Sequence, residues 1–120
     1  MRAVPIFVLI VIEGYLGSQL SAAGSPYPAS YLYAHIGLAI LLVLFTGHVF
    51  GTSFRVPGAA ARASAGITFL AAFGATIAGT VFLLGGGANS AFLAMEGLFG
   101  VALVGAILLV LFGRSREVSR

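Results

Sequence analysis

The chain has no cysteine, no lysine and no tryptophan, and only 8 % of its 120 residues are charged. Without cysteine there are no disulfides, thiolate metal sites or iron–sulfur clusters. So little charge argues against a soluble domain, where roughly a quarter of residues are charged. The apolar share is 60 % and the mean hydropathy is +1.12. A chain this short cannot hide that much apolar surface from water. Disordered, collagen-like and disulfide-rich classes fall with it, and an integral membrane protein remains. All six basic residues are arginine, set against three glutamates, for a net charge of +3. The arginines sit at segment ends and are not interleaved with aromatics on one face, so nucleic acid is not an expected partner.

A bilayer core of about 30 Å needs roughly 20 apolar residues per helix. Four segments qualify, at about 4–23, 29–53, 65–84 and 90–112. Gly24-Ser25-Pro26-Tyr27-Pro28 separates the first two, and Gly85-Gly86-Gly87-Ala88-Asn89 the last two. Residues Phe54 to Ser64 link the pairs. The expectation is a single all-α domain, a four-helix membrane bundle made of two hairpins. Arg2 and the first apolar run have the look of a signal peptide, but Glu13, Gly14 and Gln19 interrupt the run, so a retained helix is expected. Arg2, Arg55, Arg62, Arg114, Arg116 and Arg120 all fall on one side of a four-span chain, and the other two loops are uncharged. The positive-inside rule then predicts both termini in the cytoplasm, in the cell membrane of a prokaryote. Tyr27, Tyr31 and Tyr33 cluster at the opposite interface, as amphipathic rings do.

A shift of 60 residues lays Ala34-His35-Ile36-Gly37-Leu38 over Ala94-Met95-Glu96-Gly97-Leu98, and Gly14 over Gly74. Each half reads as helix, glycine-containing turn, helix. The pattern predicts a parallel pseudo-repeat about an axis along the membrane normal. It would set His35 and Met95 at equal depth on opposite sides of that axis, roughly 8–9 Å below the outer ends of their helices.

The residues that carry chemistry are few. An ionisable side chain within a span costs on the order of 2–3 kcal/mol and is a functional candidate. His35 reads as a metal or haem ligand; the plainer alternative is an imidazole bonded to a neighbouring helix. Met95 gains meaning from the repeat, because imidazole plus thioether is a haem ligand set. Otherwise it is core filler. Gly37 and Gly97 each follow a candidate ligand by two residues and would admit a flat macrocycle, or simply allow close helix packing. His48 lies 13 residues after His35, about 140° around the helix and roughly 20 Å along it. The two histidines cannot share one metal. His48 is a second haem ligand or an interfacial histidine. Glu13 lies mid-span, and several roles suit it: relaying a proton, contacting a propionate or a quinone, or holding a cationic substrate. The alternative is a carboxyl bonded to Tyr15, Gln19 or another helix. Glu96 divides between a proton-linked role and a helix–helix bond. Ser18, Gln19, Ser21, Thr76 and Thr80 read as polar glue between helices, and Ala71, Ala75 and Gly79 as a close-packing stripe. Gly85-Gly86-Gly87 lacks the lysine of a phosphate loop.

The run from Gly14 to Ala34-His35-Ile36-Gly37, with its echo from Gly74 to Gly97, resembles a four-helix half of the haem A synthase family. The likeness spans nearly the whole chain. It implies a haem, of b type, between His35 and Met95, and electron transfer or haem modification in a respiratory membrane. Leu32 stands where that family has an acid, Ile36 where an arginine often follows the histidine, and Met95 where its fourth helix has a second histidine. The family's outer cysteine pair is absent. If catalysis of that kind occurs, Glu13 is the residue placed to replace the missing acid. A second resemblance is to the small multidrug transporters, which would make Glu13 a proton and substrate site in a homo-oligomer. The arginine asymmetry and the Ala/Gly/Thr-rich third helix depart from that pattern. A third reading is an accessory subunit of a larger respiratory or transport complex.

Overall fold

The computed structural model describes residues 3–24, 26–55, 57–87 and 89–118, with side chains as far as Phe112. Arg2 and Arg120 lie outside the described residues, as do the side chains of Arg114 and Arg116. The described residues form helices α1 (Ala3–Ala23), α2 (Ala29–Ser53), α3 (Ala59–Leu84) and α4 (Asn89–Val118). All four are long and apolar enough to cross a membrane. The molecule is a rod 51 Å long and 21 by 18 Å across, which exceeds the roughly 30 Å hydrocarbon core. The all-α four-helix expectation therefore stands.

The helix ends follow local chemistry. Pro5 sits in the first turn of α1, where a missing N–H costs nothing. Pro28 precedes α2, and its carbonyl accepts from the Leu32 amide at 3.0 Å. The link between hairpins is shorter than expected. α3 begins at Ala59, not near Ala65. Hydropathy marks Arg62 and Ser64 as loop, but Ala59-Ala60-Ala61 is a strong helix-forming run. Gly58, at φ +124°, turns the chain directly into it. The α3–α4 turn needs Gly86 and Gly87 at φ +75° and +83°, with Gly87 N–H donating to the Phe82 carbonyl at 2.8 Å.

Each helix packs on its chain neighbours and α4 closes back on α1, so the backbones of α1 and α3, and of α2 and α4, stand apart across the axis. The α3–α4 interface is the most extensive. Bulky groups seat on glycines throughout. A Cβ on Gly47 would lie 3.0 Å from the Phe69 ring, and one on Gly66 3.0 Å from Phe50, so α2 and α3 interlock reciprocally. The two rings stack with centroids 6.0 Å apart. Leu98 seats on Gly74 and Phe99 on Gly14 in the same way. The buried apolar core comprises Ile6, Ile10, Leu42, Ala65, Ala71, Ala102, Ala106 and Leu109, with Ala3. It fills the half of the rod nearer the start of α1 and the end of α4, here the terminal end. The opposite, loop end carries the α1–α2 and α3–α4 connections.

The hydroxyls do not glue helices together as expected. Ser18 donates to the Tyr15 carbonyl, Thr76 to Ala72 and Thr80 to Thr76, all within their own helices. The buried Thr46 and Thr68 do likewise, to Leu42 and Ser64. With no water to serve them, hydroxyls take the nearest acceptor, the carbonyl one turn back.

Thr68 also fixes a test of the packing. A Cβ on Gly105 would lie 2.6 Å from its Oγ1 and 3.2 Å from its backbone N. Gly105→Ala should therefore destabilise the bundle by about 1–3 kcal/mol in detergent unfolding. Gly37→Ala, with open space around it, should be neutral or stabilising by up to about 1 kcal/mol. Equal effects of the two changes would contradict the interlocked arrangement.

Candidate functional site

The loop half of the bundle is not filled. A cavity of about 680 Å³ lies among all four helices, within the roughly 300–1,000 Å³ of small-molecule sites. Its deep end is walled by Ile10, Leu42, Phe99 and Ala102, its mouth by Ser21, Tyr27, Thr80 and Leu84. The void follows from residue size. Ala71 of the small-residue stripe is buried outside the lining, but Ala75 and Gly79, one and two turns on, line the cavity.

Two of the candidate residues meet here. Oε1 of Glu13 on α1 stands 2.6 Å from Nδ1 of His35 on α2. Glu13 is 6 % exposed, and both residues line the cavity. The contact is electrostatic, and neither atom has a hydrogen-bond partner among the described residues. Together the two groups can hold one proton and remain neutral, which reduces the cost of placing either in a membrane. The imidazole can lie there because its partner surface is Gly17, where a Cβ would sit 3.3 Å from Cε1 and 3.9 Å from Nε2. Nδ1 is turned to Glu13, which leaves Nε2 as the ring nitrogen for a ligand.

Met95 lines the same cavity from α4, diagonally across from α2. Its sulfur is seated on Gly79, 3.1 Å from where a Cβ would be. His35 and Met95 thus share a device. Each is six residues into the second helix of its hairpin, about 9 Å from the helix end. Each packs on a glycine of the first helix. Glu96 lines the cavity too, but is exposed. Gly37 and Gly97 do not line it. Both are exposed with nothing within 4 Å of a would-be Cβ, so they face outward from the bundle. His48 is exposed and lies outside the cavity lining.

A haem can be tested against this set. A metal-ligating histidine commonly donates its other ring N–H to a carboxylate, and Glu13 lies within reach of Nδ1 to serve so when the imidazole is neutral. The apolar walls suit a macrocycle. No arginine among the described residues lines the cavity, so propionates fit only at its mouth, toward water. Among the described residues no three His, Cys, Asp or Glu side chains gather as they would around a bare metal ion. The set fits an axial ligand better than a metal cage.

The pairing of Glu13 with His35 was the feature least visible beforehand. One signal pointed to it: these are the only two ionisable residues of the first hairpin's loop half other than tyrosine, and charged groups in membranes pair. Glu13→Gln and His35→Ala should each destabilise the bundle by about 2–4 kcal/mol by stranding the other partner. The double variant should cost less than their sum by about 1–3 kcal/mol. Simple additivity in detergent unfolding would mean that the pair does not interact.

Comparison with known proteins finds no family model, no curated protein and no solved structure that matches the chain, so its function is read from this geometry.

Proposed function

We propose that the chain is a haem-binding membrane protein, in which the cavity would receive the macrocycle and Nε2 of His35 would hold its iron. The observation that carries this reading is the contact of buried Glu13 with half-buried His35 at 2.6 Å, set in the wall of a cavity of about 680 Å³. Glu13 orients the ring and increases the electron donation of Nε2. Gly17 lets the Cε1 edge of the ring approach α1, and Met95 offers a thioether from the diagonal helix. The walls from α2, α3 and α4 are mostly apolar. When bound, a b-type haem supplies one-electron transfer, and a quinone or a respiratory partner is the natural counterpart. The proposed setting is the cytoplasmic membrane of a prokaryote with both termini inside, supported by the arginine distribution. The chain would act as a homo-oligomer or as a subunit of a larger complex.

A second reading rests on the same pair. A carboxyl and an imidazole that share one proton beside a cavity also suit proton-linked binding of a small amphiphile, as in a transporter. Colour separates the two.

The test is an optical spectrum of the purified protein, oxidised and then dithionite-reduced. The haem reading expects a Soret band, a sharp reduced α-band and about one haem per chain. His35→Ala should abolish the pigment, and His48→Ala should leave it in place. Met95→Leu should lower the reduction potential, because a thioether ligand raises it. A preparation that stays colourless after haem is offered removes this reading and leaves the proton-linked one.

A further inference from the structure

The cavity is one-sided. Along α1 its lining runs from Ile10 to Ser21, about 16 Å at 1.5 Å per residue. Exposure changes along that length. At the deep end Ile10, Glu13, Leu42, Ala72 and Ala102 are all buried; at the other end Ser21, Thr80, Leu83 and Leu84 are all exposed. Beyond the deep end the bundle axis is packed, and the cavity of about 310 Å³ in that half lies between α1 and α4 with only apolar lining, Val4, Phe7, Ile107, Val110 and Leu111. Phe99 closes on Gly14, and below it Ile6, Thr46, Thr68 and Ala106 are all at most 1 % exposed. The buried hydroxyls of this half, Thr46, Thr68, Ser53 and Ser64, already donate to carbonyls of their own helices. They offer no chain of donors along which water or a proton would pass. Nearer the terminal end Phe50 and Phe69 stack across α2 and α3.

We propose that the terminal half of the bundle is a dry plug, and that the cavity with its Glu13–His35 pair exchanges water, protons and ligand only through the loop end. By the arginine rule that end faces away from the cytoplasm. A partner that loads the cavity, or draws on what it holds, would then act from the outer face. The chain by itself would offer no path for protons across the membrane. This inference does not rest on the haem reading, since it concerns the shape of the cavity and not its occupant.

The lack of cysteine makes the full chain its own background for accessibility mapping. Single cysteines are placed at Thr76 and Thr80 in the cavity wall and at Thr46 and Thr68 in the plug. Ser30 and Ala60, both exposed, mark the loop and terminal ends. Each variant is treated with a membrane-impermeant maleimide in vesicles of both orientations. Thr76→Cys and Thr80→Cys should label only in the orientation that labels Ser30→Cys. Thr46→Cys and Thr68→Cys should label in neither, or more than about tenfold more slowly, because a packed site reacts only on local opening. The exposed Thr80 site tolerates substitution and keeps the test alive where a buried variant fails to insert. Labelling of Thr76→Cys from the Ala60 side would overturn the proposal. So would labelling of Thr46→Cys at a rate comparable to Thr76→Cys from either side. A colourless preparation that labels as expected would sink the haem reading and leave this one intact.

Discussion

Helices in a bilayer have no hydrophobic reason to associate, because lipid tails are as apolar as leucine. What holds this bundle is the seating of large side chains on glycines. All four interfaces of the ring use it: His35 on Gly17 between α1 and α2, Phe69 on Gly47 between α2 and α3, Leu98 on Gly74 between α3 and α4, and Phe99 on Gly14 between α4 and α1. Each seat brings two backbones close and adds many small dispersion contacts. The glycine content, 17 in 120 residues, would weaken a soluble helical protein. Here helix formation is already enforced by the absence of water, so the propensity cost of glycine matters less than the space it makes.

That constraint decides where chemistry can occur. In the terminal half the seats are reciprocal: α2 gives a ring to α3 and receives one, and the gap closes completely. In the loop half they are one-way. His35 and Met95 each lean on a glycine of their own hairpin's first helix, and at mid-cavity α3 returns Ala75, Thr76 and Gly79, its larger Phe82, Leu83 and Leu84 lining the mouth. Nothing large remains to fill the centre. The cavity is therefore a consequence of the same small residues that pack the helices elsewhere.

The fold was largely legible in the sequence, and the site only in part. Four spans follow from hydropathy because every backbone group in a membrane must be satisfied within a helix. The start of α3 did not follow, since the alanines from Ala59 weigh less on a hydropathy scale than Arg62 weighs against it. His35, Met95 and Glu13 were recognisable one at a time as unusual residues for their depth. Their relation was not, because it depends on how α1 faces α2, and the sequence pattern leaves that rotation open. Gly37 and Gly97 were chosen by spacing along one helix. The glycines that matter to the ligands, Gly17 and Gly79, lie on the opposite helix of each hairpin, where spacing along a single helix carries no signal. The threonines misled for a different reason. A hydroxyl in lipid needs an acceptor, and the nearest one is always in its own helix.

The remaining question is why a bundle able to pack one half tightly keeps a void in the other. Protein interiors hold few voids larger than a water molecule, and a void forfeits the dispersion contacts of its lining. An ion pair in a membrane adds a desolvation cost that its own attraction only partly offsets. Either feature alone has a structural explanation: a void can follow from small residues, and an ion pair can fix helix register. Their coincidence is harder to explain so, because a pair that served register alone gains nothing from bordering a void. Yet it borders the cavity, with one imidazole nitrogen spoken for and the other left over. That placement is what a binding site requires: an ordered polar group, held from behind, at the buried end of an apolar chamber.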